Sequence, residues 1–323
     1  MSKKKDSFKP WLSRPTVNRS VTLPLTRPLT QRLSNLNEFH PNELDPYLLF
    51  DAQDSMIGTL ENPTLDLDPS KPDTLNVITA TRAGTATYTD FNGNIASAPA
   101  NTVRVDHVDG VPMILVEPSS ENLVTYSTPD TNWPLNGASR IEDFAISPDA
   151  SQTATKITKV GTDTNERTRF DDIALVNGTE YSASVYLKNV DVQGHTTLGV
   201  RVTGGTLFRI KIDWTTNTVF NDNGTTSDRF VYDVGDGWYR IGFSFTANGT
   251  NSDFEVDVER NTSYATDTSS VLVWGAQVET GSVATSLIPT SGGDAAARTR
   301  AKDDLAITGS DFTDFFNGSE GTF

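Results

Sequence analysis

The chain has 323 residues, of which 36% are hydrophobic and 21% charged, and it contains no cysteine. That length allows one or two domains with cores of their own, and the missing thiols exclude disulfides, cysteine-based metal sites and cysteine nucleophiles. Charge is spread unevenly: residues 1–40 hold eight basic and two acidic residues, net +6, while the remainder holds eighteen basic and forty acidic, net −22.

The chain opens on an arm, residues 1–40. Met1–Lys5 is basic but no apolar run follows it, so the segment does not read as a secretory signal. No stretch anywhere reaches the roughly 20 apolar residues needed to cross a bilayer, so no membrane insertion is expected. Pro10, Pro15, Pro24 and Pro28 rule out a helix and hold the arm extended. Trp11, Leu12, Leu23, Leu25 and Leu29, with Arg14 and Arg27 beside them, are the candidate anchoring residues. A pre-extended segment loses little entropy on docking, and apolar side chains along it can fill pockets in a larger assembly. Residues 41–75 read as a connector: Pro46, Pro63, Pro69 and Pro72 interrupt every apolar patch, and Leu48-Leu49-Phe50 is a candidate short buried element.

From residue 76 the pattern changes to short alternating segments such as Val77–Thr81, Tyr181–Leu187, Leu198–Val202, Phe208–Ile212, Tyr239–Phe245, Phe254–Val258 and Val271–Trp274. Period two with aromatic and β-branched enrichment predicts half-buried strands. Asn-Gly pairs at 92–93, 136–137, 177–178, 223–224, 248–249 and 317–318 predict tight hairpin turns between them. Ser291–Leu305 is the best helix candidate. The fold class read from these features is all-β: a small β element over residues 76–118, then a jelly-roll-type β-sandwich over residues 119–295.

Six motifs in this body occur in a telling order. Arg82–Ile95 leads through Val103–Asp106 into Leu115-Val116-Glu117-Pro118 and Glu121-Asn122-Leu123. Asn177–Lys188, Gly237–Ile241 and Trp274–Ser282 follow, then Ala284–Thr290 and Thr299-Arg300. This series resembles the carbohydrate-binding-module-like jelly roll of tailed-bacteriophage virion appendages, tail fibres and head spikes. The resemblance covers residues 82 to about 300, and in such proteins the motif positions look like core and strand-edge positions rather than ligand contacts. It implies a structural component of a phage particle, assembled in the host cytoplasm and docked through its arm to capsid, portal or tail proteins. It also implies self-association as a homotrimer and attachment to a host-surface glycan. Residues 296–323 read as a linker and the opening of a further, lectin-like domain. The alternative is a carbohydrate-binding module of a polysaccharide-degrading enzyme.

The chemistry of sites adds little. His40, His107 and His195 are too scattered for a metal cluster, and no cofactor is expected. Asp90-x-Asn92-x-Asn94 begins like a calcium loop, but Ile95 and Asn101 stand where glycine and a closing glutamate belong, so a hairpin turn is expected. Glu117, Glu279, Asp171, Asp172, Asp233 and Asp236 could be paired as glycosidase carboxylates. The aspartates lie in turn-like contexts and the glutamates inside motifs without a fixed partner, so no enzyme is expected. The acidic body argues against nucleic acid. Trp133, Trp214, Tyr232 and Tyr264 are the candidate sugar-stacking aromatics, with a core role as the competing reading; Trp238 and Trp274 read as core.

Overall fold

The computed structural model describes residues 65, 67–108, 110–160, 166–259, 268–292 and 298–313. The anchoring residues Trp11, Leu12, Arg14, Leu23, Leu25, Arg27 and Leu29, together with Leu48-Leu49-Phe50 and Tyr264, lie outside them. Two units are distinguished, one of Met1–Val77 with Thr308–Phe323 and one of Ile78–Ile307. The described part of the first holds a 3-10 turn at Pro72–Val77 and a short helix, α1, at Gly309–Thr313.

Among its described residues the second unit is built from strands, with no α-helix. In chain order these are β1 (Thr79–Thr81), β2 (Ala86–Thr89), β3 (Ile95–Ala98), β4 (Arg104–Val108), β5 (Val111–Leu115), β6 (Ser120–Glu121) and β7 (Leu135–Asn136). Then follow β8 (Ala138–Ala145), β9 (Ala154–Lys159), β10 (Arg167–Ala174), β11 (Glu180–Asn189), β12 (His195–Val202), β13 (Leu207–Asp213) and β14 (Thr218–Asn223). The last are β15 (Ser227–Gly235), β16 (Trp238–Thr246), β17 (Asn251–Asp257), β18 (Ser270–Thr280), β19 (Thr299–Arg300) and β20 (Asp304–Ala306). Two six-stranded antiparallel sheets form a sandwich: a front sheet ordered β14-β13-β12-β17-β10-β7 and a back sheet ordered β15-β16-β11-β18-β9-β8. β9 pairs with β18, β10 with β17 and β11 with β16, and successive pairs fall in opposite sheets. A two-stranded ribbon wound over itself in this way is a jelly roll.

Alternation explains the core. Leu198 and Val200, Ile210 and Ile212, Phe254 and Val256 point inward from the front sheet. Ile157, Val185, Phe243 and Val273 meet them from the back. Each such side chain removed from water contributes about 1.5–3 kcal/mol. Trp133 fills one end of this core, its ring centroid 5.7 Å from that of Phe170 and 5.8 Å from that of Phe254.

The Asn-Gly pairs do something different from what their sequence suggests. Asn92-Gly93 does close a hairpin, β2–β3: Asp90 Oδ1 accepts the N–H groups of Asn92 and Asn94 at 2.8 and 2.9 Å, and Gly93 has φ +83°. The pairs at 136–137, 177–178, 223–224 and 248–249 instead carry the chain from one sheet to the other. Within the sheets, hairpins turn on Gly204-Gly205, on Asn217 at φ +52° and on Asp236-Gly237. The described residues of Ser291–Leu305 form no α-helix: they supply β19 and part of β20, because Arg300 and Asp303 are drawn into a buried ionic network.

That network fastens the two hairpins, β2–β3 and β4–β5, to the sandwich. Asp303 lies between Arg82, whose Nη1 is 2.7 Å from Oδ1, and the Nη2 of Arg104, and it accepts the N–H of Glu117 at 2.9 Å. Glu117 Oε2 is 2.9 Å from Arg104 and 3.0 Å from Arg300, and the Ser286 N–H and hydroxyl each donate to this carboxylate at 2.6 Å. Glu279 accepts the Ser120 hydroxyl, the Thr285 N–H and hydroxyl, and the Gln277 amide. Glu117 and Glu279, expected to lack fixed partners, are therefore fully engaged. Arg82, Arg104 and Arg300 are 2% exposed or less. Under the hairpins a second apolar cluster, Tyr186, Trp238, Leu272, Trp274 and Leu287 with Ile95 against it, covers part of the outer side of the back sheet.

Removing one member of a buried pair strands its mate, at a cost of about 3–5 kcal/mol. Asp303→Asn is expected to destabilise the protein by that order in urea unfolding. Burial works to raise the Asp303 carboxyl, but hydrogen bonds from Arg82, Arg104 and the Glu117 N–H hold it below the usual range. A folded pKa below the unfolded value of about 3.9 gives stability that is complete above that pH and lost as pH falls beneath it. The asparagine variant should lose that part of the acid dependence; identical slopes for both proteins below pH 4 would contradict the assignment.

Candidate binding face

The outer side of the front sheet carries charge where its inner side carries core. Alternation dictates this strand by strand. On β10, Thr168 and Phe170 face inward, and Arg167, Arg169 and Asp171 face outward. On β17, Phe254 and Val256 point in, and Asp253, Glu255 and Asp257 point out. The centre of β12 offers Thr197, Gly199 and Arg201; β13 adds Arg209 and Lys211, and β14 adds Phe220 and Asp222.

Cross-strand register places opposite charges side by side. Arg167 is the partner of Asp257 and Arg169 that of Glu255 across β10–β17, and Asp257 and Glu255 then face Thr197 and Gly199 of β12. Gly199 in turn faces Arg209, and Thr197 faces Lys211. Opposite charges set directly across a sheet stabilise it. Glu255 is held by Arg201, whose Nη2 is 2.9 Å from Oε1, and by Arg167 at 3.6 Å. Asp257 receives the Thr197 hydroxyl at 2.9 Å and lies 3.5 Å from Arg209. Arg209 also pairs with Asp222 at 2.6 Å, which Lys211 reaches at 3.2 Å. Glu255 and Asp257 are wholly buried beneath these cations, whereas the Arg201 and Arg169 side chains each remain 38% exposed.

Gly199 leaves a notch at the centre of this lattice. A Cβ there would stand 3.0 Å from Glu255 Cγ and 3.3 Å from Leu207 Cδ1, so the position is closed to larger residues without movement. Toward the β14 edge, His195 meets the Phe220 ring edge-on at 5.4 Å and the Lys211 ammonium lies 4.8 Å over it. The face thus presents fixed donors, fixed acceptors and one aromatic ring. Its carboxylates are locked to cations, an arrangement suited to holding hydroxyl groups in place rather than to exchanging protons.

A separate shallow cavity of about 430 Å³ sits at the bulge in β10, lined by Glu121, Asp171, Asp172 and Arg298 among others. Burial pushes the Asp171 carboxyl up, Arg169 opposes it, and Asp253 and Asp172 add to the rise. Arg169 is 2.8 Å from that carboxylate. Among the described residues no group of His, Asp and Glu is arranged to hold a metal ion.

The sequence-predicted aromatics fall in different places. Trp133 is 1% exposed and donates its indole N–H to the Tyr126 carbonyl, so its ring has no face to offer a ligand. Trp214 is half-buried at the β13–β14 turn, with its indole N–H on the Thr196 hydroxyl and its ring edge-on to Tyr239. Tyr232 is exposed, stacked on Phe230 at 4.8 Å on β15, the edge of the back sheet. Trp238 and Trp274 are buried in the second cluster. None of the three described candidates, Trp133, Trp214 and Tyr232, lies on the charged face. The alternation of Arg-Thr-Arg-Phe-Asp, Asp-Phe-Glu-Val-Asp and Phe-Arg-Ile-Lys-Ile was the signal for it.

No protein-family model and no curated protein sequence matches the chain. Solved structures similar to it include a bacteriophage tailspike domain and several carbohydrate-binding modules, all at low identity. The enzymatically active domain of tailspike protein 4 of bacteriophage CBA120 is 10% identical, with a TM-score of 0.33 over 50% of this chain and 21% of that one. The CBM22-1 xylan-binding domain of Xyn10C from Paenibacillus barcinonensis is 12% identical, with a TM-score of 0.31 over 51% of this chain and 94% of that one. CsCBM6-3 from Clostridium stercorarium, in complex with cellobiose, is 12% identical, with a TM-score of 0.26 over 51% and 95%.

The Asp222 carboxyl tests the lattice. Burial acts to raise it, but the charge and hydrogen bonds of Arg209, and then Lys211, bring it below the ordinary carboxylate range. Arg209→Met should leave the burial and remove the main opposing charge, raising the Asp222 midpoint in a carbon-detected NMR titration. A midpoint unchanged by the substitution would mean that the pair does not form in solution.

Proposed function

We propose that this chain is a non-catalytic structural subunit of a tailed-phage particle and that its front sheet holds a glycan of the host surface. The observation that carries the binding part is the ion-paired lattice on one side of the sandwich, opposite a sheet that the hairpins partly cover. Donors and acceptors fixed in advance lose little freedom when hydroxyl groups bind to them. The virion part is supported by the ordered motifs over residues 82–300, whose Arg82, Arg104, Glu117, Glu279 and Arg300 form the closing network of the module. In this reading the arm, residues 1–40, is the attachment device, and the subunit is a homotrimer.

Retention of the full chain on host-cell polysaccharide tests the face. Charged hydrogen bonds contribute about 1.5–3 kcal/mol each, so Arg201→Ala should weaken binding about tenfold or more. Tyr232→Ala, on the other sheet, should leave it unchanged; the opposite pattern would move the site to the β15 edge.

Deleting residues 1–40 should leave a folded chain that no longer joins particles in a complementation assay. Trp11→Ala with Leu25→Ala should reduce incorporation more than neutralising Lys3, Lys4 and Lys5, because apolar anchors decide retention and exposed charge is screened by salt. Normal occupancy of the truncated chain would place attachment elsewhere.

A further inference from the structure

We infer that the ligand of the front face is a neutral polysaccharide, a chain of hexose hydroxyls without carboxylate or sulfate groups. This rests on the binding role proposed above for the same face. The arginines there would ordinarily suggest an anionic ligand, since a guanidinium fork matches carboxylate and sulfate well. Here each arginine already has a carboxylate of the protein beside it, Arg201 and Arg209 through hydrogen bonds and Arg167 through longer ion pairs of 3.6 and 3.9 Å. Arg201 and Arg167 share Glu255; Arg209 holds both Asp222 and Asp257; Arg169 holds Asp171 and Asp253. The outward side chains of β10, β17, β12, β13 and β14 include five cations, Arg167, Arg169, Arg201, Arg209 and Lys211, against six carboxylates when Asp213 is counted.

An anionic sugar would have to displace Glu255 or Asp257 from its arginine. Both carboxylates are wholly buried, and an unpaired buried charge costs several kcal/mol. Sugar hydroxyls face no such exchange. Arg201 spends Nε and Nη2 on Glu255, which leaves its Nη1 hydrogens for a ligand oxygen. Carboxylates have lone pairs beyond those used in ion pairs, so they can also accept from hydroxyl groups. Long-range charge acts in the same direction, because residues 41–323 carry forty acidic and eighteen basic side chains and so repel polyanions.

The test is affinity electrophoresis of the full chain through gels containing neutral polymers (glucan, mannan, galactan) or acidic ones (alginate, polygalacturonate, chondroitin sulfate), at low salt and at 0.5 M NaCl. The expected result is retardation by at least one neutral polymer, changed less than about twofold by salt. Retardation by acidic polymers alone, abolished by salt, would overturn the inference and leave the glycan-binding role standing; retardation by none would overturn both. Glu255→Gln frees two arginines and should confer salt-labile binding to the acidic polymers. Should that variant not fold, Asp222→Asn frees Lys211 and releases Arg209 from the nearer of its two carboxylates at a less buried position, and carries the same expectation. A variant that folds but gains no affinity for the acidic polymers would contradict the account of the lattice.

Discussion

Asp303 stands between Arg82 and Arg104 at a point where the chain has already built two hairpins and a complete sandwich and has returned to where it began. Beside it β20 pairs with β1, Ala306 opposite Thr79 and Asp304 opposite Thr81. The Ile78–Ile307 unit is thus closed by its own ends. Three buried arginines on three separate segments would be prohibitive without acceptors, since a buried cation without a counter-charge costs several kcal/mol. Asp303 and Glu117 supply those charges, and the carbonyls of Pro99 and Pro118 take further donors from Arg82 and Arg300. Each acceptor is fixed only when the whole unit is assembled, so the network specifies how the hairpins sit as well as stabilising them.

The consequence for function is a division of labour between the two sheets. The hairpins and the segment around Leu287 lie on the back sheet, where Tyr186, Trp238 and Trp274 give it a second apolar surface. Among the described residues the front sheet has no such surface. Many of its outward positions are charged, and the cost of packing charge closely is offset by ion pairs within and between neighbouring strands. An ion-paired polar face suits the proposed binding role, because groups already held in place lose little freedom when a ligand binds.

Much of the fold was legible. Alternation in Leu198–Val202, Phe208–Ile212 and Phe254–Val258 places the strands and their inner faces, because a half-buried sheet enforces period two. The motif residues from Arg82 to Arg300 could be read as framework positions, but their pairing could not: Arg104 and Asp303 are 199 positions apart, and no local pattern carries that contact. The Asn-Gly pairs misled for a related reason. Positive φ at glycine permits a tight reversal, yet whether the reversal stays in one sheet or crosses to the other depends on where the next strand can bury its apolar side. Trp133 shows the same limit for the site, since an indole reads alike whether it fills a core or receives a sugar. The charged face was written in the outward halves of strands already identified, in residues easily taken for ordinary solvated surface.

The central claim is that the front sheet is the binding surface. Chemical-shift mapping of the full chain, with arginine Nε–Hε and backbone amide signals followed as host polysaccharide is added, tests it most directly. The expected result is a contiguous set of changes at Arg201, Arg209, Gly199 and the backbone of Glu255 and Asp257, with β15 and β16 silent. Changes confined to Phe230 and Tyr232, or to the cavity beside Asp171 and Glu121, would contradict it.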